Sequence, residues 1–302
     1  MNRILASGAV LWSALALLSA MHVGPLGLLD VLFLLAPWVI VPLGLSFMND
    51  SAPLSLARRI QPLAAAFATI SFFLPKGTAA GALAVPWLGI NGLVALAGLL
   101  GLKEAFRGGV PSLLMLAAQL SPPIGGVHFV SSRLGHPLAG FPEPIVLLTA
   151  IHFHYTPFAA PILAAMLCRT LSGSWGRIAR TAGLGIVGGT PLLAAGFIFS
   201  PILKAAAVAV LTLSVILLAV TQVASLGKLR AGRGRLLLAL SSIAVVAGMA
   251  LAAVYEHGFY TGRSWLSISQ MAWSHGLLNG VGFSLCGLLG WTLNRENRTV
   301  LT

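Results

Sequence analysis

Ten apolar runs occupy most of this chain, and no soluble fold of its size could hide them. They cover residues 4–21, 28–48, 60–75, 79–101, 109–131, 145–168, 181–200, 202–225, 236–255 and 269–293. A helix needs about 20 apolar residues to cross the hydrocarbon of a bilayer, and most of the runs are close to that length. Without water to satisfy peptide groups, only helices or a closed barrel can span. The runs are continuous rather than alternating, which selects helices. The third is short, so tilt or flanking side chains make up the difference. Composition agrees: 58% of the 302 residues are hydrophobic and 8% are charged, against about 25% charged in soluble domains. The chain therefore reads as an all-α, polytopic integral membrane bundle of about ten helices, with residues 1–302 forming a single domain. The first run, one basic residue (Arg3) and then a long apolar stretch, could be mistaken for a signal peptide, but it has no clean small-x-small cleavage site before Pro25, so it is expected to stay as a helix.

The net charge of +12 would point to nucleic acid on a soluble protein. Here the basic residues punctuate apolar runs and leave no solvated basic face, which argues against that partner. They sort by side instead. The N-terminus, the even-numbered loops and the C-terminus hold Arg3; Arg58 and Arg59; Lys103 and Arg107; Arg169, Arg177 and Arg180; Lys228, Arg230, Arg233 and Arg235; Arg295 and Arg298. The odd-numbered loops hold only Lys76, Arg133, Lys204 and Arg263. Positive charge stays on the cytoplasmic side, so a multi-pass protein of the cell membrane with both termini in the cytoplasm is predicted. The stretch 227–235 is the densest basic loop and suits anionic headgroups. Cys168 and Cys286 lie within or at the end of apolar runs without CxxC spacing, and read as structural thiols.

On this topology all seven histidines fall in the outer half or the outer loops, together with Asp30, Glu143 and Glu256. Ionisable groups inside spans are costly and mark cavities or pathways, so a site in the outer half is expected. Asp30 begins span 2, where an acidic residue also suits a helix N-terminus. Glu256 and His257 end span 9, where they equally suit a wetted interface. Arg133 and Glu143 read as ordinary loop charges.

The richest segment is His152-Phe153-His154-Tyr155-Thr156-Pro157-Phe158. Residues two apart on a regular helix point roughly 200° apart, so both histidines serve one site only if Pro157 disturbs the helix there. Otherwise one faces the site and the other a neighbouring helix. Span 10 carries Ser274-His275-Gly276 and, four residues after His275 on the same face, Asn279. Gly276, Gly280 and Ser284 form a small-xxx-small strip for close helix approach.

These two segments resemble the YndJ-like membrane proteins. That family shows a His-Phe-His-aromatic segment followed by Phe and Pro, matched by His152, Phe153, His154, Tyr155, Phe158 and Pro161. Its later His-Gly…Asn…Gly-Phe…Gly…Gly-Trp segment is matched by His275, Gly276, Asn279, Gly282, Phe283, Gly287, Gly290 and Trp291. Thr156-Pro157 and Gly280 stand where small residues are expected, and Pro157 departs from that pattern. The resemblance covers two of ten spans. It implies a multi-pass membrane protein loosely described as a transporter and assigns no chemistry to these residues.

Three functions fit the residues. The first is a membrane enzyme acting on an apolar or isoprenoid-like lipid. A protonated Asp30 or Glu256 would donate to an alkene or epoxide, with His152, His154 or His275 as base and Asn279 beside it. Phe153, Tyr155, Phe158 and Trp273 would line the substrate, their ring faces steadying a developing cation. In its metal variant, His152, His154 and His275 would hold Zn or Fe; paired histidines could otherwise hold haem, and no other motif names a cofactor. The second is a proton-coupled secondary transporter of a small molecule. It predicts polar groups at several depths, whereas the ionisable residues here gather near one face. The third is a sensor, its histidines answering to pH or metal, or an assembly factor. Membrane lipids are the expected surroundings in every case.

Overall fold

The computed structural model describes residues 3–299. Ten long helices match the ten apolar runs: α1 (Arg3–Ala20), α2 (Leu28–Leu45), α3 (Ala52–Ser71), α4 (Thr78–Leu100), α5 (Val110–Leu134), α6 (Ile145–Thr170), α7 (Gly173–Phe199), α8 (Pro201–Ser225), α9 (Arg233–Thr261) and α10 (Ile268–Arg295). Eight of them are long and apolar enough to cross a membrane. In α1 the apolar stretch is shorter, Leu5–Ala20. The third helix begins eight residues before its predicted apolar run, because Ser51-Ala52-Pro53 starts it with proline in the first turn. Arg58 and Arg59 therefore lie on α3 rather than in a loop, and Arg58 reaches back to Asp50 and to the carbonyls of Leu45 and Met48 at the end of α2.

The helices gather into two compact units, one of residues 1–103 and 116–158, the other of 104–115 and 159–302. Aromatic rings centre the first. Phe33 of α2 stacks on Phe129 of α5 at 4.1 Å, and Phe72 leans on both at 5.9 and 5.6 Å. Indole N–H groups find acceptors across helices, Trp12 on the Val31 carbonyl and Trp38 on Thr69 Oγ1, both at 2.9 Å. Helix α2 widens into a π-turn at Ala36–Ile40. Pro37 and Pro42 supply the reason: neither has an N–H to donate, so the i→i−4 ladder cannot run through. The Gln61 side chain donates to the Pro37 carbonyl at that turn.

The second unit is built on close helix approaches. Gly185 of α7 lies against Ser214 of α8, and Gly282 of α10 against Ala244 of α9. Helix α10 is π-wound over Ala272–Gly276 and again over Leu278–Leu285. Glycines 234, 248, 282 and 290 make close contacts between α9 and α10, and Gly280 and Ser284 of the expected strip are buried.

Candidate functional site

Helix α6 is regular through Pro157, so His152 and His154 point apart. His152 is exposed, with Nδ1 on the Leu148 carbonyl at 2.7 Å. His154 is fully buried in the first unit. Its tautomer follows from its partners. Trp87 Nε1 can only donate, and it meets His154 Nε2 at 3.1 Å, so Nε2 is the unprotonated acceptor. His154 Nδ1 then carries the hydrogen and donates to the Ala150 carbonyl at 2.7 Å. Asn91 Nδ2 also approaches Nε2, at 3.3 Å, while Asn91 Oδ1 is buried without a partner. The imidazole is neutral, with both nitrogens engaged.

Two neighbouring glycines make this arrangement fit. A Cβ on Gly125 of α5 would come 2.8 Å from the His154 ring, and one on Gly126 would come 2.7 Å from Asn91 Nδ2. The Phe33 ring meets His154 edge-on at 5.5 Å. Beside it Tyr155 donates its hydroxyl to the Leu32 carbonyl at 2.7 Å, and Phe158 is fully buried. Phe153 is half-buried and lies parallel to His128 at 6.4 Å. Asp30, half-buried at the third position of α2, accepts the Gly27 N–H at 2.8 Å.

Arg133 and Glu143 are more than loop charges. Arg133 is buried on α5 and donates to the carbonyls of Ser71 and Leu74, where α3 ends, with its guanidinium 4.7 Å from the Phe72 ring centroid. A cation there satisfies the orphan carbonyls of a helix C-terminus. Glu143 pairs with Lys76 at 3.1 Å and accepts from Ser132 and from the Leu147 N–H.

In the second unit His275 Nδ1 donates to the Gly248 carbonyl at 2.8 Å. Asn279 Nδ2 lies 3.2 Å from the same nitrogen, and two donors cannot bond, so the amide is served by the His275 carbonyl at 2.8 Å. The Asn279 amide fills the place that a Cβ on Gly248 would occupy. Trp273 stands exposed on α10.

Glu256 gains a partner that the sequence reading placed among the loop charges. Lys204 of α8 is buried, and its Nζ lies 3.2 Å from Glu256 Oε2. The same ammonium sits 3.4 Å from the Phe259 ring centroid and 5.4 Å from that of Phe197. Glu256 Oε1 is buried without a hydrogen-bond partner. Gly196 of α7 closes on the Lys204 backbone, which brings Phe197 over the amine. The signal was available, since Lys204 falls inside its own apolar run, 202–225.

Candidate residues thus divide between the units: Asp30, His152, Phe153, His154, Tyr155 and Phe158 in the first; Glu256, Trp273, His275 and Asn279 in the second. Among the described residues, no three His, Cys, Asp or Glu side chains come together to hold a metal ion.

Comparison with known proteins gives a family and no chemistry. The model of the YndJ-like protein family matches residues 31–283. The "Uncharacterized membrane protein YndJ" of Bacillus subtilis (strain 168) is 28% identical over 272 residues, which is 87% of this chain and 48% of that protein. The chain spans about half the length of this relative. No solved structure matches significantly. With the family match running from the first turn of α2 into the π-wound part of α10, the protein belongs to the YndJ-like family of membrane proteins.

Proposed function

We propose that the protein is a proton-coupled secondary transporter of a small molecule in the cell membrane, with both termini cytoplasmic and the Lys204–Glu256 pair as its coupling site. The observation that carries this reading is a buried ion pair between two membrane-length helices, one oxygen of which has no partner. Two charges withdrawn from water seldom stabilise a fold better than apolar side chains would. Inside a span such a pair is by default a functional site. Passing one proton from Lys204 to Glu256 converts an ion pair into a neutral pair and removes the attraction between α8 and α9. The π-wound segments of α2 and α10 add irregular backbone of the kind transporters use. The 14-to-4 division of Lys and Arg supports the orientation.

The acid–base enzyme on an isoprenoid-like lipid shares Glu256 and is separated by experiment. Everted vesicles with an imposed proton gradient are challenged with a panel of amines, organic acids and sugars while a pH dye is followed. Transport predicts that at least one compound collapses the gradient in wild-type vesicles and not in Glu256→Gln vesicles. If no compound distinguishes wild-type from empty vesicles, the reading fails. A changed lipid profile in the Glu256→Gln strain would then favour the enzyme.

A further inference from the structure

One long stretch of the chain holds arginines without acids. Of the six carboxylates in the sequence, none falls between Glu143 and Glu256. Eight basic residues fall there, and one of them, Lys204, pairs with Glu256. The other seven gather at two turns of the second unit. Arg169, Arg177 and Arg180 surround the α6–α7 turn. Lys228, Arg230, Arg233 and Arg235 surround the α8–α9 turn. All seven are exposed. Helix α8 packs against both α7 and α9. It runs antiparallel to each, Gly185 and Gly196 of α7 meeting Ser214 and Lys204, and Gln222 and Lys204 reaching Leu238 and Glu256 of α9. The last turn of α8 therefore lies level with the first turns of α7 and α9, and both groups of basic residues share one end of the unit. Elsewhere the acids have basic neighbours of their own: Glu104 stands between Lys103 and Arg107, and Glu296 between Arg295 and Arg298.

These charges stand where a helix least favours them. Helix α7 follows Ser172 and α9 follows Gly232; neither start has a side-chain cap, and neither first turn holds an acid. A helix N-terminus carries partial positive charge and unsatisfied N–H groups. Guanidinium groups add to that charge instead of offsetting it, so one bound anion relieves both. Beyond the arginines both helices turn apolar surface outward. On α7, Leu184 and Gly188 follow Arg180 at four-residue spacing, and all three are exposed. On α9, Leu236, Leu240 and Ile243 follow Arg233 at the same face and are 61%, 46% and 68% exposed. Both helices are long and apolar enough to span, so these stripes face acyl chains. A phosphate at the arginines and a fatty chain along the stripe belong to one molecule. A zwitterionic headgroup brings a cation of its own to a surface that already has too many.

We infer that this end of the second unit is a docking surface for anionic phospholipid, the headgroup held by Arg177, Arg180, Arg233 and Arg235 and the acyl chains laid along α7 and α9. It stands apart from the transport reading and from the direction of insertion. The full chain is reconstituted in phosphatidylcholine vesicles with a trace of spin-labelled phosphatidylglycerol or phosphatidylcholine, and the motionally restricted fraction of each label is read by electron paramagnetic resonance. Phosphatidylglycerol should associate at least 5-fold more strongly, since each arginine near the headgroups is worth about 5-fold. In wild-type protein about 1 M salt should bring the two lipids within 2-fold, because exposed charges are screened. Arg177→Gln/Arg180→Gln/Arg233→Gln/Arg235→Gln should erase the preference while leaving the amount of restricted phosphatidylcholine unchanged, the mark of an intact bundle. Arg263→Gln, at the opposite end of α9, should keep it. Equal association of the two lipids with wild-type protein, a preference that survives high salt, or one retained by the four-arginine variant would overturn the inference. Release of labelled phosphatidylglycerol by millimolar glycerol phosphate or by duplex DNA would overturn the lipid assignment, because a soluble anion would then suffice.

Discussion

The networks around His154 in the first unit and Glu256 in the second bury polar groups by opposite means. Around His154 the first unit uses only neutral groups: an indole and an amide donate to Nε2, and the ring donates to its own helix. Around Glu256 the second unit uses full charges, an ammonium shared between a carboxylate and a ring, with one oxygen left over. In an apolar solvent the first arrangement is a tie and the second is a device. Each leaves one buried oxygen without a partner, Asn91 Oδ1 in the first and Glu256 Oε1 in the second, so what separates the two networks is charge.

The contrast can be broken by substitution, with unfolding in detergent followed through the free, half-buried thiols of Cys168 and Cys286. Glu256→Ala should have the largest effect, about 3–5 kcal/mol, because it strands a buried ammonium. The double variant Lys204→Met/Glu256→Leu should recover most of that stability while losing proton-linked uptake. A double variant as unstable as the single one would remove the charge argument. Gly125→Ala comes next, at about 1–3 kcal/mol, since its methyl group must displace the His154 ring; wild-type stability in this variant would show that the ring is not held. Trp87→Phe should cost about 1 kcal/mol, the worth of one hydrogen bond, and nitrogen NMR of labelled histidine should still find His154 as the Nδ1–H tautomer. His152→Phe should change stability by less than about 0.5 kcal/mol, as expected of an exposed position. A large loss there would mean that both histidines of α6 matter to the fold.

The helices were legible because hydrocarbon forces long apolar runs, and each run found its helix. The start of α3 was not, because two arginines in a row read as a loop until the carbonyl partners of Arg58 at the end of α2 are known. Within the candidate site, individual residues were legible and partnerships were not. Glu256 stood out as an acid near the membrane, but Lys204, 52 positions earlier in number, becomes its partner only when α8 and α9 pack. Trp87 and Asn91 carry no motif, and their spacing of four on α4 gained meaning only against His154. Arg133 looked like a loop charge because nothing local reveals that the end of α3 offers it carbonyls. Pairings between distant helices are tertiary facts, and a single chain without aligned relatives does not encode them in any readable period.

The wide winding of α10 is also a length of chain held in reserve. Rings closed from i to i+5 take up more residues per turn than α-helical ones. Rewinding Leu278–Leu285 as α-helix would therefore lengthen the span and turn everything beyond it about the helix axis. His275, bonded to Gly248 before that segment, and Gly290, pressed on Gly234 after it, cannot both keep their seats through such a change.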